Sequence, residues 1–216
     1  MQNFKDLGTL CELFSKGRIL SYDNTNQHFD NLALIGRISE SLGIAEVLLR
    51  NKIDFVMSER DALWLESLPQ DSNATRDKII SIQSLGFWVK VVDFYRIHDK
   101  ILGKEFLDDL DFKRYYAKNQ NRFKNKANLQ NYHKVRLLLH LLRNLRNRAF
   151  HFENLYKLND ENKPRLMASI KNKENALCVI NLETSKIKLF LKDLISELMK
   201  KESGGKASPK NERIMP

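Results

Sequence analysis

The feature of the sequence that most constrains the fold is a run of apolar residues with helical spacing between Asn131 and Tyr156. Side chains three and four positions apart lie on one face of a helix, and a continuous apolar face has to be buried against other elements. This segment therefore predicts a long amphipathic helix whose buried stripe consists of Val135, Leu138, Leu142, Leu145 and Ala149.

The same spacing predicts further helices, and residues suited to cap helix N-termini precede several of them. Asp30, Ser58 and Thr75 are the expected caps, and Pro69 is expected to end the helix that Ser58 begins. Gly86 lies inside a predicted helix, which predicts close packing against another element. The predicted helices span 4–20, 30–49, 58–68, 75–99, 131–156 and 186–200, with short helical pieces over 102–116 and polar loops over 118–130 and 159–173.

Glycine and proline are scarce in this chain, with eight and four among 216 residues. Sandwich folds and Gly-rich dinucleotide-binding folds use these residues at turns and phosphates, so both are disfavoured. We expect an all-α protein with a single helical domain over residues 1–201. Residues 202–216 lack apolar periodicity and predict a disordered basic tail.

Two cysteines are too few for a disulfide framework, which favours a reducing compartment. The N-terminal residues do not resemble a signal peptide, and the longest apolar runs are far shorter than the ~20 residues that span a bilayer. We therefore expect a cytoplasmic protein without a membrane partner.

The formal net charge of +10 is unevenly distributed along the chain. Residues 112–152, here called the acid-free window, contain eleven lysines and arginines and no aspartate or glutamate, with seven Phe and Tyr residues among them. Lysine and arginine release phosphate counterions when a nucleic acid binds, and aromatic rings stack on unpaired bases. The window therefore indicates RNA or DNA binding; the alternative is a solvated helix face.

The end of the long predicted helix contains the pattern R-N-x-x-x-H, formed by Arg146, Asn147 and His151. Histidine exchanges protons near neutral pH, arginine binds a phosphate through planar permanent donors, and asparagine orients either group. These residue types suffice to cleave RNA without a metal ion, because they supply proton transfer and charge stabilisation. The alternative is a structural histidine at a helix end.

Helical geometry limits how these residues can cooperate. At ~100° per residue, Arg146 and His151 lie about 140° apart, whereas Asn147 and His151 share a face. The three residues could flank a groove, could require a distorted helix, or could be shared with a second copy of the chain. A twofold axis would bring two histidines and two arginines to one phosphate.

The segment LLHLLRNLRNRAFHFENLYKL, around Arg146, Asn147 and His151, resembles the signature of the HEPN superfamily, and more narrowly that of its Abi-like (abortive-infection) bacterial group. The segment Ile80–Trp88 resembles the helix that these proteins place upstream. The resemblance implies an all-α HEPN-like bundle and a metal-independent endoribonuclease that acts as a dimer. It also implies a toxin or phage-defence role, controlled by an antitoxin that is either a protein or a structured RNA.

The sequence contains no phosphate-binding loop and no metal-ligand motif, so we expect no cofactor and no metal. We expect an endoribonuclease in which Arg146, Asn147 and His151 are catalytic. The alternative is a helical protein of the same fold that binds RNA or a partner without cutting. The residues expected to bind RNA are Arg143, Arg148, Arg136, Lys134, Lys126, Lys124, Arg122 and Tyr132.

Overall fold

The computed structural model describes residues 7–67 and 75–200. The chain is predominantly helical within these ranges, with one small antiparallel sheet. The predicted tail, the Pro69 helix stop and the first residues of the predicted 4–20 helix lie outside them. The elements are α1 (Leu7–Phe14), α2 (Lys16–Ile19), α3 (Thr25–Arg60), α4 (Arg76–Ile82), α5 (Leu85–Tyr95), α6 (His98–Ile101), α7 (Lys104–Asp109), α8 (Asn131–Phe150), β1 (Met167–Lys171), β2 (Leu177–Asn181) and α9 (Ile187–Met199).

The helix α3 is longer than the sequence predicts, because it joins two predicted helices. It begins after Asn24, whose side chain accepts a hydrogen bond from the Gln27 amide, so the prediction that Asp30 is the cap is wrong. Ser58 is also not a cap: it lies inside α3, and its hydroxyl donates to the Asp54 carbonyl one turn earlier. Only a short 3₁₀ turn, Trp64–Ser67, follows.

The predicted helix over 75–99 is interrupted between α4 and α5 and again between α5 and α6. Thr75 caps α4 as predicted, but a second cap at Ser84 accepts from the Phe87 amide and starts α5. Gly86 therefore lies in the first turn of α5, where an added Cβ would meet Arg143 Cδ at an ordinary 3.7 Å. The expected close packing at this glycine is wrong, because a side chain there would make only ordinary van der Waals contacts.

The helix α8 confirms the strongest sequence prediction. Its stripe from Val135 to Ala149 is fully buried, and the helix ends at Phe150 rather than at Tyr156. Apolar residues at helical spacing are buried in the other two long helices as well: Leu34, Ile38, Leu42 and Ala45 in α3, and Ile187, Phe190, Leu191, Leu194 and Leu198 in α9. The core forms where α3, α5, α8 and α9 meet, around large side chains such as Trp88 and Phe190.

A β-hairpin that the sequence analysis missed packs on α8. The strands β1 and β2 pair antiparallel, with Ala168 opposite Ile180 and Ile170 opposite Cys178 on the buried face. The purely all-α prediction is wrong at this point. Burial raises the pKa of the Cys178 thiol to about 11, so the thiol stays protonated at neutral pH.

Among the described residues, no helix combines the length and apolar character needed to cross a bilayer.

Candidate functional site

The motif residues occupy the last turn of α8, and they do not share one face. The helix runs without distortion to Phe150, and the His151 amide closes it by donating to the Asn147 carbonyl at 3.0 Å. Asn147 and His151 are both exposed, one turn apart on the same side. Arg146 points elsewhere, toward α3. The structure therefore excludes a local helix distortion as the way to unite the three residues.

Arg146 is held from two directions. Its Nε donates to Oε2 of the buried Glu46 on α3 at 3.1 Å, and its guanidinium lies 5.0 Å from the centroid of the Phe150 ring. The other oxygen of Glu46 pairs with Arg50, which also donates to the Ser81 carbonyl. Arg146 makes no hydrogen bond through Nη1 or Nη2 to the described part of the chain, and about a third of its side chain is exposed. The guanidinium is thus fixed by Nε while its outer edge is free to bind an anion.

The backbone after His151 is held in place by hydrogen bonds with side chains of α2 and α3. Asn31 of α3 donates to the Glu153 carbonyl and accepts from the Leu155 amide, and Arg18 donates to the Phe152 carbonyl at 3.4 Å. Phe152 itself adopts a left-handed backbone conformation (φ 53°). These contacts hold the chain in a sharp turn, and they leave the His151 side chain without a hydrogen bond or an ion pair to any described residue.

The charge of the acid-free window is neutralised in part by acids from outside the window. Four of its eleven basic residues pair with acids, three of which come from distant parts of the chain. Arg114 makes a bidentate pair with Asp193 (2.7 and 2.9 Å), and the remaining three pairs are Arg136 with Asp93 (3.0 Å), Arg146 with Glu46, and Arg148 with Glu153 (2.8 Å).

The residues predicted to bind RNA fall into two groups. Arg136 and Arg148 are committed to ion pairs, and Lys134 is buried, with its Nζ donating to the Leu107 carbonyl. Burial also lowers the pKa of Lys134 from its ordinary value. The other residues make no ion pair within the described ranges and keep exposed or half-buried side chains: Arg143, Tyr132, Lys126, Lys124 and Arg122.

A second polar cluster, which the sequence analysis missed, joins α5, α6 and α8 around Asp93. Its carboxylate lies 2.9 Å from His98 Nε2, 3.0 Å from Arg136 Nε and 3.9 Å from His140 Nε2. Burial alone would raise the pKa of Asp93, but the two histidines and the Arg136 charge outweigh it and hold the pKa well below its usual range. The signal that could have found the cluster is the spacing of Arg136 and His140, which share a face of α8.

The described residues contain no group of three histidines, cysteines or carboxylates arranged to hold a metal ion. The sequence-adjacent carboxylates at 108–111 have other partners. Asp108 pairs with Lys104 and accepts from Asn131, and Asp111 accepts from the Lys113 amide. The carboxylates of Asp108 and Asp111 therefore stabilise the local helix and turn.

Comparison with protein-family models, with curated proteins and with solved structures finds no match for this chain.

The lowered pKa of Asp93 gives a pH dependence with a defined sign. A carboxylate whose folded pKa is lowered stabilises the fold above its unfolded pKa, and this contribution is lost as the pH falls through the folded pKa. We expect Asp93→Asn to cost about 1 to 2 kcal/mol of unfolding free energy near neutral pH, because Arg136 loses the carboxylate charge that it faces and His98 loses a charged hydrogen-bond partner. Denaturant unfolding near neutral pH and in acid measures this cost.

The difference between wild type and Asp93→Asn should shrink below about pH 4. The matched control is Asp99→Asn, since Asp99 lies beside the same cluster and makes no ion pair with the described residues; its stability should match wild type at both pH values. A cost for Asp93→Asn that stays constant down to strong acid would contradict the role assigned to this carboxylate.

Proposed function

We propose that this protein is a metal-independent endoribonuclease of the HEPN type, built on a HEPN-like helical bundle. The observation that supports the proposal most is that the His151 side chain is exposed and makes no hydrogen bond or ion pair with the described chain. It lies one turn from an exposed asparagine on the same side of the helix. Arg146, on another face of the same helix end, keeps its outer nitrogens free. Histidine can supply proton transfer and arginine can supply phosphate binding once RNA or a second copy of the chain brings the two groups to one phosphate.

The chemistry follows from the RNA backbone itself. A neutral imidazole removes the proton of a 2′-hydroxyl, the freed oxygen attacks the adjacent phosphorus, and the bond to the 5′-oxygen breaks. A protonated imidazole returns a proton to the leaving 5′-oxygen, so the products are a 2′,3′-cyclic phosphate and a 5′-hydroxyl. Charge builds on the phosphate oxygens during the attack, and Arg146 binds it through Nη1 and Nη2. Asn147, which is exposed one turn before His151 on the same side, donates to a phosphate oxygen of the bound RNA.

Glu46 has the role of a positioning residue in this scheme. It binds the Nε edge of Arg146 and is itself clamped by Arg50, so the guanidinium is preorganised before RNA arrives. A preorganised charge costs less reorganisation in the transition state than a flexible one. The ion pair is thus compatible with catalysis because it uses only one edge of the arginine.

One imidazole cannot be neutral and protonated at the same time, so the site is incomplete in a single chain. A second copy across a twofold axis supplies the second histidine. Exposed apolar side chains lie close in sequence to the motif and to Glu46, and they favour such a contact: Phe150 and Phe152 at the end of α8, and Ile44 and Val47 on α3. We propose that these residues form the interface and that it brings both His151 side chains to one cleft.

An RNA-cleaving protein of this kind fits the role of a toxin or phage-defence (abortive-infection) effector in the cytoplasm. Such an activity has to be restrained in the producing cell, and an antitoxin, either a protein or a structured RNA, is the expected partner. The second candidate function is RNA or partner binding without cleavage. The Arg146–Glu46 ion pair favours it, since it can also be a purely structural contact.

The direct test incubates the full-length protein with RNA in EDTA and compares wild type with His151→Ala. We expect wild type to cut and His151→Ala to lose at least a hundredfold in rate, the lower end of what a general acid or base supplies. The matched control is His140→Ala, which removes a half-buried histidine of the same helix. Cutting that persists in His151→Ala contradicts the assigned site, and binding without cutting by wild type favours the second candidate.

The shared cleft predicts the behaviour of mixed dimers. We expect heterodimers of one wild-type and one His151→Ala subunit to lose far more than half of the activity, because each cleavage event needs both histidines. Differently tagged subunits, co-expressed and purified sequentially, allow the heterodimer to be assayed alone. Half the wild-type activity in the heterodimer, or full activity in a wild-type monomer, would show that each subunit has its own site.

A further inference from the structure

The basic residues that remain free of acids are concentrated in one loop. Lys118, Arg122 and Lys124 make no ion pair with any residue in 7–67 or 75–200, and all three are exposed. They lie between the 3₁₀ turn Phe112–Arg114 and α8. Four arginines of the acid-free window are paired with acids: Arg114, Arg136, Arg146 and Arg148. The loop therefore carries the largest uncompensated positive charge of the window.

These three residues line two adjoining hollows, of about 450 and 600 Å³. The first lies between the loop and the β-hairpin, and it also contains Lys163 and Tyr116. Its only acidic residue is Glu161, which is paired with Lys163. The second continues from the first past Lys118 and Arg122. We call the two hollows together the loop–hairpin groove. It is positive along its length and large enough for several atoms of an extended ligand.

The groove is held in shape without a ligand. Asn119, which is buried, donates to the Phe112 and Asn181 carbonyls and accepts from the Asn181 amide, which ties the loop to β2. The Lys124 amide donates to the Leu177 carbonyl, and the buried Phe123 ring packs 4.9 Å from His133 of α8. A charged surface that is already ordered loses little conformational entropy when it binds a polyanion.

The groove leads toward the end of α8. Met167 lines the first hollow, and its carbonyl accepts a hydrogen bond from Asn144 of α8 at 2.7 Å. Asn144 and His151 are seven residues apart, so they share a face of the helix at a separation of about 10 Å. A stacked strand advances ~3.4 Å for each phosphate and an extended strand advances further, so about two nucleotides of extended strand bridge that distance.

We propose that the loop–hairpin groove holds the single-stranded flank of the RNA substrate, beginning about two nucleotides from the phosphate at His151. Lys118, Arg122 and Lys124 bind successive phosphates, and the half-buried Tyr116 ring stacks on an unpaired base. The position of the cut in this inference rests on the proposed function. The position of the strand rests on the charge distribution alone.

The experiment measures binding separately from cleavage by using His151→Ala as the parent protein. The probe is a fluorescein-labelled single-stranded RNA of about 16 nucleotides, the upper end of a single-strand site size. We expect Lys118→Glu/Arg122→Glu/Lys124→Glu to weaken binding at least tenfold. The slope of log K against log salt should fall by about 2, since each lost phosphate contact on a single strand removes about 0.7.

A charge-matched control reverses three exposed lysines outside the groove, Lys186→Glu/Lys188→Glu/Lys192→Glu. If this control weakens binding as much as the groove variant, the effect is one of net charge and the inference is overturned. Tyr116→Ala should weaken binding of the single strand but not of a duplex of the same sequence. An equal effect on both would overturn the stacking role. Circular dichroism and denaturant unfolding verify that each variant is folded.

The failure of this inference and that of the proposed function give different results. If wild type does not cut RNA but the groove variant loses binding, the groove assignment stands and the enzyme assignment fails. If wild type cuts RNA and the groove substitutions change neither KM nor the length of RNA required, the enzyme assignment stands and the groove assignment fails.

Discussion

The structure depends on ion pairs between the central helix and acids that lie far away in sequence. The helix α8 carries four arginines and is packed against α3, α5 and the hairpin, so several of their charges lie at least partly out of water. Glu46 of α3 and Asp93 of α5 neutralise Arg146 and Arg136, and an exposed pair of this type would contribute only about 0.2 to 1 kcal/mol. Here the buried position of Glu46 makes the loss of either partner costly, because the remaining charge would be left unpaired.

This arrangement separates the basic residues that build the protein from those that face a partner. The paired arginines fix the position of α8, and with it the geometry of the turn that presents His151. The unpaired lysines and arginines face solvent in the loop–hairpin groove, where a polyanion is the natural counter-charge. Arg146 belongs to both groups, since Glu46 binds one edge of its guanidinium and leaves the other edge free.

The sequence predicts the parts of this fold that depend on local periodicity. The buried stripes of α3, α8 and α9 follow the 3.6-residue repeat, and Thr75 caps α4 as its position suggests. The continuity of α3 could not be predicted, because a serine inside a helix can turn its hydroxyl to the preceding carbonyl instead of capping. The hairpin was missed because its strands have five residues each, and each strand contributes only two buried apolar side chains. The motif can be recognised from the sequence because its residues lie within one short segment. Its pairing with Glu46 could not be predicted, because Glu46 lies a hundred residues away and no sequence pattern links the two positions.

Ultraviolet cross-linking of RNA to the full-length His151→Ala protein, followed by mass spectrometry of the cross-linked peptides, tests the central claim most directly. The claim is that RNA follows the uncompensated charges of the loop to Arg146 and His151 at the end of α8, and that it avoids Arg136, which is paired with Asp93. The account predicts cross-links in 113–126, at Tyr116 above all, and around Asn147 at the end of α8. Cross-links confined to the first half of α8, around Tyr132 and Arg136, would contradict it.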